Sequence, residues 1–119
     1  MTQLSPNPAA VDFDLPGTMA RMLDDEDMFR SVLPLFLTDA AERLVLLRHA
    51  VATGDAPEIS RQAHTLKGAA ANLGAQAMAS TADGLWLHAR DGQLAAICED
   101  LARIELDFAR YRIAVASWL

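Results

Sequence analysis

One stretch of the chain concentrates residue types that can do chemistry: Arg61, Gln62, Ala63, His64, Thr65, Leu66, Lys67, Gly68, Ala69, Ala70, Ala71, Asn72, Leu73, Gly74 and Ala75 in sequence. On a helical wheel at about 100° per residue, Ile59, Ala63, Leu66, Ala70 and Leu73 fall within an arc of roughly 80° that a core would bury. His64 lies about 140° from the centre of that arc, so its imidazole points outward or grazes the edge. Gly68 follows one turn on, Ala71 lies on the same side and Lys67 on its flank. A mid-helix glycine costs about 1 kcal/mol against alanine, so an exposed alanine would serve stability better. The face beside the imidazole is thus bare at a cost, and a bare face lets a second protein approach the ring.

Phosphoryl transfer suits this set. Histidine is the side chain whose neutral, nucleophilic form is available near physiological pH, and Lys67 brings positive charge within reach of oxygens carried on the ring. The reaction depends mostly on positioning and charge stabilisation. A partner can therefore supply the second reactant, its metal and most of the electrostatics. His64 reads as phospho-acceptor, Lys67 as phosphate-stabilising, and Gly68 and Ala71 as clearance for docking. His49 and His88 have no metal-type partner nearby in sequence and read as surface or core-edge residues.

The elements that must position these residues are all helical. Phe13, Leu15, Met19, Met22 and Leu23 suggest a short lead-in helix with Pro16 in its first turn. A long helix is expected from about Asp24–Asp27, where acidic residues suit the positive end of the dipole. Its stripe is Phe29, Leu33, Phe36, Ala40, Leu44, Leu47 and Val51, and Gly54 ends it. Pro34 interrupts the stripe and predicts a kink, with a division into two helices as the alternative. Asp55, Pro57 and Glu58 start the helix that carries His64, and Gly74 terminates it. A third helix over about Ala75 to Arg90 follows the stripe Met78, Ala82, Leu85 and Ala89, despite Gly84. After the Asp91–Gly92 turn, Leu94, Ile97, Leu101, Ile104, Phe108, Tyr111, Val115 and Trp118 recur in alternating steps of three and four, the seam of a bundle helix. Cys98 is expected to be a small buried hydrophobe, and Trp86 and Trp118 to be packing residues, with Trp86 able to reach the edge of the docking face.

Four amphipathic helices with short connections predict an all-α fold, an up-down antiparallel four-helix bundle with a short N-terminal helical lead-in segment. One domain is expected over 11–119, with 1–10 as a flexible leader. The net charge is −6 over 119 residues, and no Lys/Arg run tracks a phosphate backbone, so nucleic acid is an unsuitable partner. Cys98 is the lone cysteine, which excludes an intramolecular disulfide and fits a reducing compartment. No apolar run approaches the ~20 residues of a membrane span, and Met1–Ala10 does not read as a signal peptide. A cytoplasmic monomer without membrane contact is expected. There is no phosphate loop of the GxxxxGK[ST] type, and no HExxH or Glu-x-x-His pattern for a bound metal.

The segment AHTLKGAAANLGA, Ala63 to Ala75, resembles the signature of histidine-containing phosphotransfer (HPt) domains, roughly His-x-Leu-Lys-Gly followed six residues later by Gly. Those positions are His64, Leu66, Lys67, Gly68 and Gly74. Nearly everything from Val11 onward is similar at lower specificity. The resemblance implies a four-helix bundle phosphorylated on a ring nitrogen of His64. Phosphate would come from a receiver-domain aspartate and pass to another receiver in two-component signalling. It implies partners among response-regulator receivers or hybrid sensor histidine kinases, no ATP site and no cofactor in this chain, and Mg²⁺ brought by the receiver. Exposed apolar residues near the histidine would meet the receiver; Leu37, Thr38 and Ala41 of the first long helix, with Arg61, are the candidates. One departure is that family members often carry a glutamate after the leucine of the third long helix, where Trp86 follows Leu85 here. That favours a relay module over a kinase's phosphorylated domain, and it removes an acidic neighbour that would orient the ring. The alternative is a module of the same fold that docks a receiver or kinase without transferring phosphate.

Overall fold

The computed structural model describes residues 11–119; the expected leader, 1–10, lies outside them. The described residues form five α-helices and no strand: α1 (Leu15–Arg21), α2 (Glu26–Thr53), α3 (Ala56–Asn72), α4 (Gln76–Arg90) and α5 (Leu94–Ala114), followed by a 3-10 turn, Ala116–Trp118. Local chemistry sets the boundaries. The Asp25 side chain accepts from the amide of Met28 and caps α2, while Gly54, at φ 71°, closes it in the left-handed conformation that glycine tolerates. Asp55 caps α3 by accepting from the amide of Glu58, with Pro57 in the first turn.

α2 packs on α3, α3 on α4, α4 on α5, and α5 closes back on α2. Cross-helix pairs run antiparallel. Arg43 meets Gln62, Lys67 meets Asp83, Thr81 meets Asp107 and His88 meets Asp100, so residue numbers rise on one partner as they fall on the next. The helical stripes fill the interior. Phe29, Leu33, Phe36, Ala40, Leu44 and Leu47 of α2 are buried, as are Ile59, Ala63, Leu66 and Ala70 of α3, Met78, Ala82, Leu85 and Ala89 of α4, and Ile97, Leu101, Ile104, Phe108 and Tyr111 of α5. Burial of these faces outweighs the weak stability of each helix alone.

α2 continues through Pro34 as one helix, and the alternative of two helices falls away; the proline is exposed, on the side where water can satisfy the freed carbonyl. Several expectations need correction. Val51 is only half-buried, and Ala50 takes the core position at that level. Leu23 leaves the lead-in helix at φ 54° and is 89% exposed, because the reversal into α2 swings it to solvent. Leu94 is exposed too; it is the first residue of α5, just beyond the α4–α5 turn. Cys98 is exposed, since it lies one residue, about 100°, past the buried Ile97. Trp118 is not on α5, which ends at Ala114. It folds back from the 3-10 turn, edge-on to Phe29 at 5.1 Å and under the Arg30 guanidinium at 4.6 Å.

The lead-in segment clamps the base from which the His64 helix rises. The Asp14 amide donates to the Gly74 carbonyl at 2.8 Å and the Ala77 amide to the Val11 carbonyl at 2.8 Å. Gln76 Nε2 donates to Asp14 Oδ2, and Arg21 Nε to the Asn72 carbonyl. From α5 the buried Tyr111 hydroxyl donates to the Leu73 carbonyl at 2.7 Å, and burial pushes that phenol well above the usual range. The α3–α4 turn is therefore held by hydrogen bonds from three elements, which fixes how α3 and α4 meet.

Candidate functional site

His64 lies near the middle of α3 and is exposed. Its chain neighbours Ala63 and Leu66 are fully buried, so the wheel placement is reproduced in three dimensions. Gly68 and Ala71, also exposed, leave the surface beyond the ring low. A Cβ built on Gly68 meets nothing within 4 Å. The glycine is therefore not required by packing inside this chain, and the space above it is open. Among the described residues no hydrogen bond is made to either ring nitrogen of His64, so both are open to solvent chemistry.

The α4 side of the ring is different. The Trp86 indole stands beside His64, with ring centroids 6.3 Å apart and planes tilted by 47°. The Arg90 guanidinium lies over the same indole, 5.5 Å from its centroid. Trp86 is part of the core packing, as expected, and it also walls one flank of the histidine, in the place where an acidic residue could have held the ring. One turn further along the same seam, Lys67 Nζ donates to Asp83 Oδ1 at 2.8 Å. Both side chains are nearly half exposed, 47% and 43%, so the ammonium stays near water. Sequence reasoning missed Asp83. A signal existed, because reflecting α3 through the tight Gly74 turn sets Lys67 opposite Asp83.

The α2 side carries a polar seam. Arg43 Nε donates to Asp39 and its Nη1 to Gln62 Oε1 at 3.2 Å. Gln62, only 2% exposed, donates in turn to Glu58, which also pairs with Arg61. The Gln62 amide, with Arg61 beside it, holds the Glu58 carboxyl below its usual range. Arg61 is exposed, but its guanidinium is engaged by its own helix. The Arg43–Gln62 contact sets 37–41 of α2 at the height of 64–68 of α3, since each step along one antiparallel helix is matched on the other. Leu37 and Ala41 are half-buried against the core and Thr38 is exposed. These three candidates thus share the level of His64, but only Thr38 is fully offered to solvent.

A groove of about 560 Å³ lies elsewhere, between α4 and α5, and its lining includes Thr81, Gly84, Arg103 and Asp107. It contains none of the residues around His64. His88 is at its edge, half-buried against Asp100. Among the described residues no group of three or more His, Cys, Asp or Glu side chains could hold a metal ion, and no helix is long and apolar enough to cross a membrane. His64 thus stands on an exposed helix face, outside this groove.

Comparison with known proteins agrees with this geometry. A family model described as the Hpt domain matches residues 31–114. Among solved structures, the chain is similar to the crystal structure of histidine-containing phosphotransfer protein B (HptB) from Pseudomonas aeruginosa PAO1. The TM-score is 0.84 at 30% sequence identity, over 91% of this chain and 94% of that one. A search of curated proteins gives no match.

Proposed function

The chain belongs to the Hpt domain family, histidine phosphotransfer carriers of phosphorelays, and from that premise we propose that His64 is the residue that carries the phosphoryl group. The unprotonated ring nitrogen attacks the phosphorus of a receiver's aspartyl phosphate. The N–P bond forms as the acyl O–P bond breaks, and the aspartate leaves as a carboxylate with the bonding electron pair. Attack by a second receiver's aspartate on the same phosphorus reverses these changes and frees the imidazole. Lys67 attracts the phosphoryl oxygens through charge, and Gly68 and Ala71 let the receiver surface come close. The receiver contributes Mg²⁺, and this chain contributes no nucleotide site. It works as a cytoplasmic monomer between receiver domains, or between a hybrid sensor kinase and a receiver, with the α2 residues near Thr38 at the rim of the contact.

The observation that carries the reading is an exposed imidazole, without a hydrogen-bonded partner among the described residues, on a helix face kept bare by Gly68 and Ala71. The test is phosphotransfer from a panel of phosphorylated receivers. Acid-labile, base-stable label should appear on the wild type and be lost entirely in His64→Gln, with circular dichroism unchanged. Label retained by that variant refutes the assignment. Receiver binding without label on the wild type would instead favour a docking module that does not transfer.

A further inference from the structure

Lys67 is not free to wait for a phosphoryl group. Its ammonium is held by Asp83, which reaches across from α4. The two side chains meet at the α3–α4 seam, and the same seam places Trp86 against His64 one turn away. Side chains three apart on a helix are neighbours, with Cβ atoms about 5–6 Å apart, and helical side chains lean towards the N-terminus. Lys67 therefore leans towards His64, and a rotation about its flexible stem carries the ammonium from Asp83 to an anion on the ring. A phosphoryl group carries more negative charge than one carboxylate, so it competes for the same cation.

Resting on the reading of His64 as phospho-acceptor, we propose that Asp83 is a positioning residue that sets the phosphoryl affinity of the carrier. In the resting protein it retains Lys67 beside the histidine. Once His64 is phosphorylated, Lys67 is drawn towards the phosphoryl oxygens and Asp83 loses its partner. Forming phosphohistidine therefore includes breaking an ion pair, and returning the phosphate to an aspartate restores it. The consequence is a carrier that binds phosphate less tightly than His64 and Lys67 alone would, which suits a group that must be passed on. No covalent step involves Asp83; it acts only through the position of the ammonium.

The test is a mutant cycle on the equilibrium between a receiver charged with acetyl phosphate and this protein, using a receiver that the wild type is shown to discharge. Asp83→Asn should shift the phosphoryl distribution towards His64 by about two- to fivefold, the scale of an exposed ion pair. The shift should shrink as salt is raised, and Asp83→Glu should restore the wild-type distribution. In a Lys67→Ala background, Asp83→Asn should have no effect, because the residue through which it acts is gone. An unchanged distribution in Asp83→Asn, or an equal shift with and without Lys67, overturns the proposal. If the wild type takes no label on His64 under any receiver, the underlying assignment fails with it. A labelled wild type with an inert Asp83 sinks this inference alone.

Discussion

Gly68 offers the sharpest separation of stability from function. It lies in the interior of α3, its backbone is not in the left-handed region, and a Cβ there meets nothing within 4 Å. Gly68→Ala therefore adds no clash and removes the conformational freedom that glycine contributes to the unfolded chain. The gain should be about 1 kcal/mol, or roughly 3–5 °C in Tm for a domain of this size. Under the proposed function, the same methyl stands where a receiver would close on His64. A group forced into a packed contact costs about 1–3 kcal/mol, so transfer should slow by roughly fivefold or more, and Gly68→Gln should slow it further. Gly84 is the internal control. It too is helical with open space at its Cβ, but it lines the α4–α5 groove away from His64. Gly84→Ala should stabilise by a similar amount and leave transfer unchanged. Urea unfolding followed at 222 nm gives the stabilities, and timed transfer from a labelled receiver gives the rates. Wild-type transfer by Gly68→Gln, or equal slowing by the two alanine variants, would refute the idea that this glycine is kept for clearance.

Gly74 has φ +78°, and a Cβ on it would lie 2.1 Å from Thr18 Oγ1 and 2.9 Å from the Asp14 carbonyl oxygen. Gly74→Ala should therefore destabilise by about 2–4 kcal/mol, and an unfolding midpoint equal to wild type would show that the lead-in clamp is dispensable. Asp107 is only 4% exposed; burial raises its carboxyl pKa, against the hydrogen bond from Thr81 and the charge of Arg103. A raised folded pKa means that folding favours the protonated acid. This stabilisation is complete below the unfolded value, near ~3.9, and is lost as pH rises through the folded one. Asp107→Asn keeps an acceptor for Thr81 without the charge, so its Tm should exceed that of wild type at pH 7 and converge on it in acid. A constant difference across pH would argue against burial as the cause.

Helix identity was legible in the sequence because each stripe is a local pattern. The steps from Phe29 to Leu47 and from Ile97 to Val115 predict which residues become core, and Asp25, Gly54 and Asp55 act as caps where their types suggest. Misreadings fell at element ends. At Leu23 and Leu94 the side chain is left in solvent, and Trp118 packs against the core, as expected, but from beyond the end of α5; periodicity carries no information about where an element or its partner stops. Cys98 was misread for a different reason, as its residue type was weighed above its angle from the stripe.

The amino-acid order alone determined that four apolar faces must be covered and that His64 could not be on one of them, since helical angle follows directly from residue number. It also determined that the surface beside the imidazole would be low, because Gly68 and Ala71 have almost no side chain. Only the tertiary structure decided what shares that surface. The hold of Asp83 on Lys67, the wall made by Trp86 and the occupation of Arg61 by Glu58 depend on helix register and side-chain rotamers. Register is set collectively, by the packing of whole apolar faces and by the turn that Tyr111 and the lead-in segment hold. No short window of sequence contains that balance.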